Sequence, residues 1–317
     1  MKKVHFSQQW VSRVTSDQEN DILTAGKDMA GPPLDTEVLA VLENTTETDA
    51  VREMIRRKWF APLADKPRNI GIGSALAEFI FSQGTHKPSV SLVPLFRRQM
   101  RQKGLVELVA TLAWLRHVSE KSIEMKVPKF NKNNLSDTSS IVHLVRLSTD
   151  QQGPRKAINY LRKLGVRVIV ESSLPTMRTD GTSFMLPGKG PVIGLTLRND
   201  RLDNFWFTLL HEVAHLVLHL TTDSNEVFVD TIENEDQYSP EIETEADAFA
   251  KDSFIPRDAW NRNAYRLRTI DSILALSSGL KIHPSIVAGR LRYERKDFTE
   301  FSQLVGIGKV RNLLLNE

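Results

Sequence analysis

Apolar residues along the first half of the chain recur at helical spacing. Val51, Met54, Ile55 and Trp59 follow a capping pair, Thr48-Asp49, and predict a helix within 35–60. Residues 74–83 and 89–118 predict two more; in the second, Leu105, Leu108, Val109, Leu112 and Leu115 form one stripe. The segment PKFNKNNLSDTSS, 128–140, is dense in turn residues and reads as a linker or exposed loop. Beyond it the period changes. Ala157, Ile158, Leu161 and Leu164 mark a helix over 154–164, closed by Gly165 as a C′ glycine. VRVIV, 166–170, is rich in β-branched residues and reads as a buried strand. Strands are also expected at 182–186 and 191–197. Helices are expected at 205–220 (with Asp203 as N-cap), at 241–254 (stopped by Pro256), at 269–278 and 284–293 (joined by Gly279), and in the tail 298–315. The expectation is an α+β chain: a mostly helical N-terminal region, then a small sheet with helices.

The run FWFTLLHEVAHLVLHL, 205–220, places three histidines and a glutamate in an otherwise almost wholly apolar helix. Packing gives such a helix no reason to carry them. His211 and His215 are four apart, so they share one helix face and can reach one metal ion. Glu212 is rotated by about 100° from His211 and can instead take a proton from a water at that ion. A catalytic zinc site needs a third protein ligand and an open fourth position. The acidic helix over 241–254 offers one: Glu245, beside small Ala246, is favoured, and Glu243 is its rival because Glu243 and Asp247 form an E-x-x-x-D spacing. His219 lies two turns from His211, about 12 Å along the axis, which suits a partner of the ligands or a group near substrate more than a ligand. Glu243, Asp247 and Tyr238 are further candidates around the site, and Tyr238, His219 and Arg198 are candidates to stabilise an oxyanion.

Composition and charge narrow the classes. The 317 residues contain no cysteine, which excludes disulfide scaffolds, cysteine-ligated zinc and thiol nucleophiles. MKKVHFSQQW lacks an apolar stretch after its lysines and does not read as a signal peptide, and no apolar run is long enough for a bilayer; the expectation is a cytoplasmic protein. A net charge of +3 conceals ten acids and no Lys or Arg between Asp223 and Asp247. Basic clusters at Arg52, Arg56, Arg57, Lys58 and at Arg97, Arg98, Arg101, Lys103 read first as solvated helix faces.

WFTLLHEVAHLVLH followed by ETEADAFAKDSFIP resembles the ImmA/IrrE metallopeptidases, bacterial and phage zincins, and the similarity extends over about 140–293 through GVRVIVESSLP, PVIGLTLR and HPSIVAGRLRYE. The resemblance implies a zincin-like domain with one catalytic Zn2+, His211 and His215 as ligands, Glu245 as the third ligand and Glu212 as general base. It implies an endopeptidase whose substrate is a specific regulatory protein, an Xre-type helix-turn-helix repressor or antitoxin encoded nearby, within a stress, phage-related, toxin–antitoxin or antiphage system. VPLFRRQ and VATLAWLRHVSE are similar to the helical connector of members fused to an antitoxin-like domain. Residues 1–60 show no helix-turn-helix, so the repressor is expected to be a separate protein and direct DNA binding is not assigned to this chain. The pair at 272–292 superficially resembles a helix-turn-helix but reads better as packing on the catalytic core. The organisation expected is a loosely ordered segment 1–35, a helical connector 36–140, a metallopeptidase core 141–260 and a C-terminal helical subdomain 261–317. Two other readings stand beside the peptidase: a metal-containing module that senses a signal and holds a repressor uncut, and a DNA-binding antitoxin-like regulator. The substrate is expected to lie along an edge strand, with 191–197 the first choice.

Overall fold

A computed structural model describes residues 42–62, 68–81, 92, 104–221, 227–231 and 240–315. The expectations for 1–35, for the basic cluster at 97–103 and for Tyr238 lie outside those residues. Among the described residues the N-terminal half contains α1 (Asp49–Arg56), α2 (Arg68–Phe81) and α3 (Leu105–Glu124). Thr48 caps α1 by accepting from the Val51 N–H, as its sequence suggests. The basic face of α1 is paired locally: Arg56 and Arg57 bind Glu53, and Arg52 binds Glu47 and Asp49.

The stretch expected as a linker is helical instead, with α4 (Lys132–Ser136) and α5 (Thr138–Arg146). Its Asn131 and Asp137 are not turn formers here but N-caps, each accepting a backbone N–H two residues on. Leu135, Leu144 and Val145 give the pair an apolar side in the core. Then come α6 (Gly153–Lys163) and β1 (Arg167–Val170). Gly165, at φ +89°, ends α6: its N–H reaches Arg162 O at 3.1 Å and the Val166 N–H reaches Leu161 O at 3.0 Å. That double bond requires a left-handed residue, which glycine supplies without steric cost.

β2 (Thr179–Leu186) and β3 (Gly190–Leu195) form a hairpin, and β4 (Val227–Thr231) adds to β2. The order is β1-β3-β2-β4, with β1 parallel to β3 and the other pairs antiparallel. β3 is therefore interior, bonded on both sides, and the substrate edge expected at 191–197 is not an edge. Among the described strands the edges are β1 and β4. Both sheet faces are covered. Ile193 and Leu195 join the main core beneath α7 (Leu202–Ala214), whereas Gly194 presses on Trp114 and Val118 of α3. Alternation along a strand sends neighbours to opposite faces, so helices on both sides make every β2 residue buried.

α7 begins at Arg201 as N-cap; Asp203 lies in its first turn and pairs with Arg201 rather than capping. α8 (Pro240–Phe254) lies along α7, followed by α9 (Arg257–Asn263), α10 (Ile270–Leu280), α11 (Pro284–Arg295) and the short α12 (Val310–Leu314). α10 ends at left-handed Lys281, not at Gly279, which stays helical. The tail holds only α12 and one turn at 302–304, so 298–315 is not a continuous helix. α11 is packed into the core through Val287 and Leu291, and Gly289 lets it approach Asp203 of α7 closely. No described helix is long and apolar enough to cross a membrane.

Candidate metal centre

His211 on α7 and His215, the first residue of the turn that continues it, sit one turn apart and are almost wholly buried. Their Nε2 atoms are 3.0 Å apart and face the same carboxylate: Glu243 Oε2 of α8 lies 3.1 Å from His211 and 3.7 Å from His215. Ligand atoms about 2.0–2.1 Å from a tetrahedral ion stand about 3.3 Å apart. The three separations bracket that value, and His211, His215 and Glu243 are the described residues whose donor atoms converge in this way. The donor set, two imidazoles and one carboxylate, suits zinc with one position open.

The third ligand expected from sequence was Glu245, and α8 turns it elsewhere. Its Oε2 lies 3.2 Å from His219 Nε2. On α8, residues 243 and 247 share the face toward α7, and residue 245 is rotated about 200° from 243. Ala246 and Ala250, both fully buried, seat that helix. Asp247 uses the E-x-x-x-D spacing: its Oδ1 is 3.2 Å from His211 Nδ1, and its Oδ2 accepts from Lys251 Nζ at 2.7 Å. A carboxylate at Nδ1 holds the ring with Nε2 directed inward and raises its basicity.

The surroundings set charge as well as direction. Burial, outweighing the opposing pull of Glu243, lowers His215 to about 4, so it is neutral near pH 7. Burial raises Glu243, but the neighbouring imidazoles of His211 and His215 overcome it and bring the carboxyl to about 2. Asp247 is likewise lowered against its burial by His211 and Lys251. Neutral imidazoles and an ionised carboxylate are the forms that bind metal.

Glu212 is fully buried between α7 and the sheet. A bulge in β2 between Thr179 and Thr182 places Gly181 against it: a Cβ on Gly181 would stand 2.4 Å from Glu212 Oε1 and 2.7 Å from Thr208 Cγ2. Bulges recur beside active sites because they re-aim a strand locally. Buried Asp180, in the same bulge, is held by Arg198 and Asn199 at 3.2–3.5 Å. Arg198 is thus occupied at the bulge.

Past Ala214 the helix widens into a π turn, His215–His219, closed by the Leu220 N–H bonding His215 O at 2.9 Å. Lys132 of α4 donates to Leu220 O at 3.0 Å and anchors that end. The edge strand β4 closes the site's other side, with Phe228 stacked on the His215 ring at 4.4 Å and 10°. Sequence reading missed β4. Its signal was VFV at 227–229, a short β-branched and aromatic run inside the acidic stretch.

Residues 161–292 match the family described as peptidase M78, the IrrE N-terminal-like domain. This part of the chain is an ImmA/IrrE-type metallopeptidase domain. The match begins in α6 and ends in α11, so it takes in the whole sheet, both site helices and the packed pair α10–α11. The zincin-like α+β fold and the peptidase class follow from it. A search of curated proteins with the chain returned no match.

Proposed function

We propose that the chain is a zinc-dependent endopeptidase acting on a specific regulatory protein. The observation that carries it is the convergence of His211 Nε2, His215 Nε2 and Glu243 Oε2 beside buried Glu212 within an M78 domain. Glu243 replaces Glu245 as the proposed third ligand. A zinc ion held there would polarise the scissile carbonyl and bring the pKa of its water toward ~7. Glu212 takes the proton from the attacking water and later delivers it to the leaving amine. Asp247 keeps His211 directed inward throughout. The substrate backbone pairs with β4, an edge strand stacked against the site through Phe228, in an extended form.

A folded protein would have to present an unstructured loop to that edge, which favours one site in one partner over general digestion. The partner proposed is an Xre-type helix-turn-helix repressor or antitoxin encoded nearby, in a stress, phage-related or toxin–antitoxin setting. The test incubates the purified chain with that repressor, with and without zinc, and reads intact masses. A single zinc-dependent cut, absent in Glu212→Gln, is expected. A stable complex without any cut refutes the peptidase reading of this partner and moves the weight to a module that holds the repressor. Retention of DNA at low salt would instead favour a DNA-binding regulator.

A further inference from the structure

His219 and Glu245 are buried or half-buried polar groups to which the reaction above gives no task. They form one arm behind His215. Glu245 Oε2 is 3.2 Å from His219 Nε2, and His219 Nδ1 is 3.0 Å from His215 Nδ1. The geometry points to His219 as a positioning residue: Glu245 selects its tautomer, and His219 then holds His215 with the Nε2 lone pair turned to the metal position. The inference rests on the metal-site reading above.

The argument counts protons. Between His219 Nδ1 and His215 Nδ1 one nitrogen donates and the other accepts. A carboxylate only accepts, so the His219 nitrogen facing Glu245 carries the hydrogen. A neutral His219 then presents Nδ1 as a lone pair, and His215 must place its own hydrogen on Nδ1. That leaves His215 Nε2 bare, 3.0 Å from His211 Nε2 and 3.7 Å from Glu243 Oε2. Phe228 fixes the plane of the His215 ring by stacking, but a stacked ring is indifferent to which nitrogen is protonated. Asp247 does for His211 directly what His219 does for His215 at one remove. The π turn delivers His219 to this position, and such turns cluster at functional sites.

The test uses the full chain at one pH. Zinc affinity is read by competition with a chromophoric chelator, and two-bond nitrogen–proton correlations of zinc-free protein report the His215 tautomer. His219→Leu is expected to weaken zinc binding by about 10–100-fold and to shift His215 away from the Nδ1–H form. His219→Gln, whose amide oxygen accepts the same hydrogen, should recover most of the affinity, and Glu245→Leu should fall between. Unchanged affinity in His219→Leu overturns the positioning role while the metal site stands. Equal loss in the Leu and Gln variants also overturns it, because that marks a packing defect. An Nε2–H tautomer at His215 in the parent overturns it whatever the variants do. A parent that binds no zinc overturns both this inference and the metal site.

Discussion

Gly181→Ala tests whether the β2 bulge sets the reach of Glu212. The added Cβ would sit 2.4 Å from Glu212 Oε1, 2.9 Å from its Cγ and 2.7 Å from Thr208 Cγ2. An ordinary contact begins at 3.4 Å, so the carboxylate must withdraw by about 1 Å or the strand must lift by the same amount. A displacement of about 1 Å at a reacting group can cost ~10²-fold in rate. Overpacking a tight site costs ~1–3 kcal/mol of stability. None of the proposed metal ligands is among the atoms that the added Cβ would meet, so zinc binding should stay within about twofold. The assay is kcat/KM on the cleaved partner, alongside zinc content and Tm. A loss near 10²-fold with full zinc content is expected. Parent-like turnover in a folded, zinc-loaded Gly181→Ala protein would refute the placement of Glu212 as the proton carrier.

Further outcomes can be stated. Glu212→Gln should abolish cleavage by ~10²–10⁴-fold while leaving zinc bound, as judged by mass spectrometry under native conditions. Glu243→Ala should lose zinc outright, whereas Glu245→Ala should retain it with weaker affinity; equal loss in both would leave the ligand assignment unresolved in favour of neither and so defeat it. Trp206→Ala, at a fully buried ring in the main core, should cost ~3–5 kcal/mol in denaturant unfolding. Glu171 joins the β1 exit to α1 through Arg57 and to α3 through Lys121. Its burial acts to raise its pKa, but hydrogen bonds from His117 and Lys121 leave it lowered from 4.5. Its stabilising effect is therefore present above pH 4.5 and lost as pH falls through the folded value, so Glu171→Gln should destabilise the chain near pH 7 and match the parent in strong acid.

Much of the chain declared itself in order along the sequence. The pair His211 and His215 needs only the 3.6-residue period, and Gly165 needs only the left-handed conformation that ends α6. Those are properties of neighbouring residues on one element. One local reading failed for a local reason: Asn131 and Asp137 serve turns and helix caps equally well, and 132–136 and 138–140 proved helical. Gly279, read as a joint, had no contact demanding a turn there; the left-handed residue is Lys281.

What waited for tertiary structure were relations between elements. The choice between Glu243 and Glu245 is a question of how α8 is rotated against α7, and both residues satisfy any spacing rule along α8 alone. The interior position of β3 follows from β1 pairing parallel to it across a hairpin, which strand propensity does not encode. β4 is short and acid-flanked, and only its pairing with β2 and the stack of Phe228 on His215 make it part of the site. The sequence by itself determined which helix carries the chemistry, because period and residue type are local. The tertiary fold alone decided which carboxylate meets the paired histidines and which strand edge is open, because both depend on the relative rotation and order of packed elements.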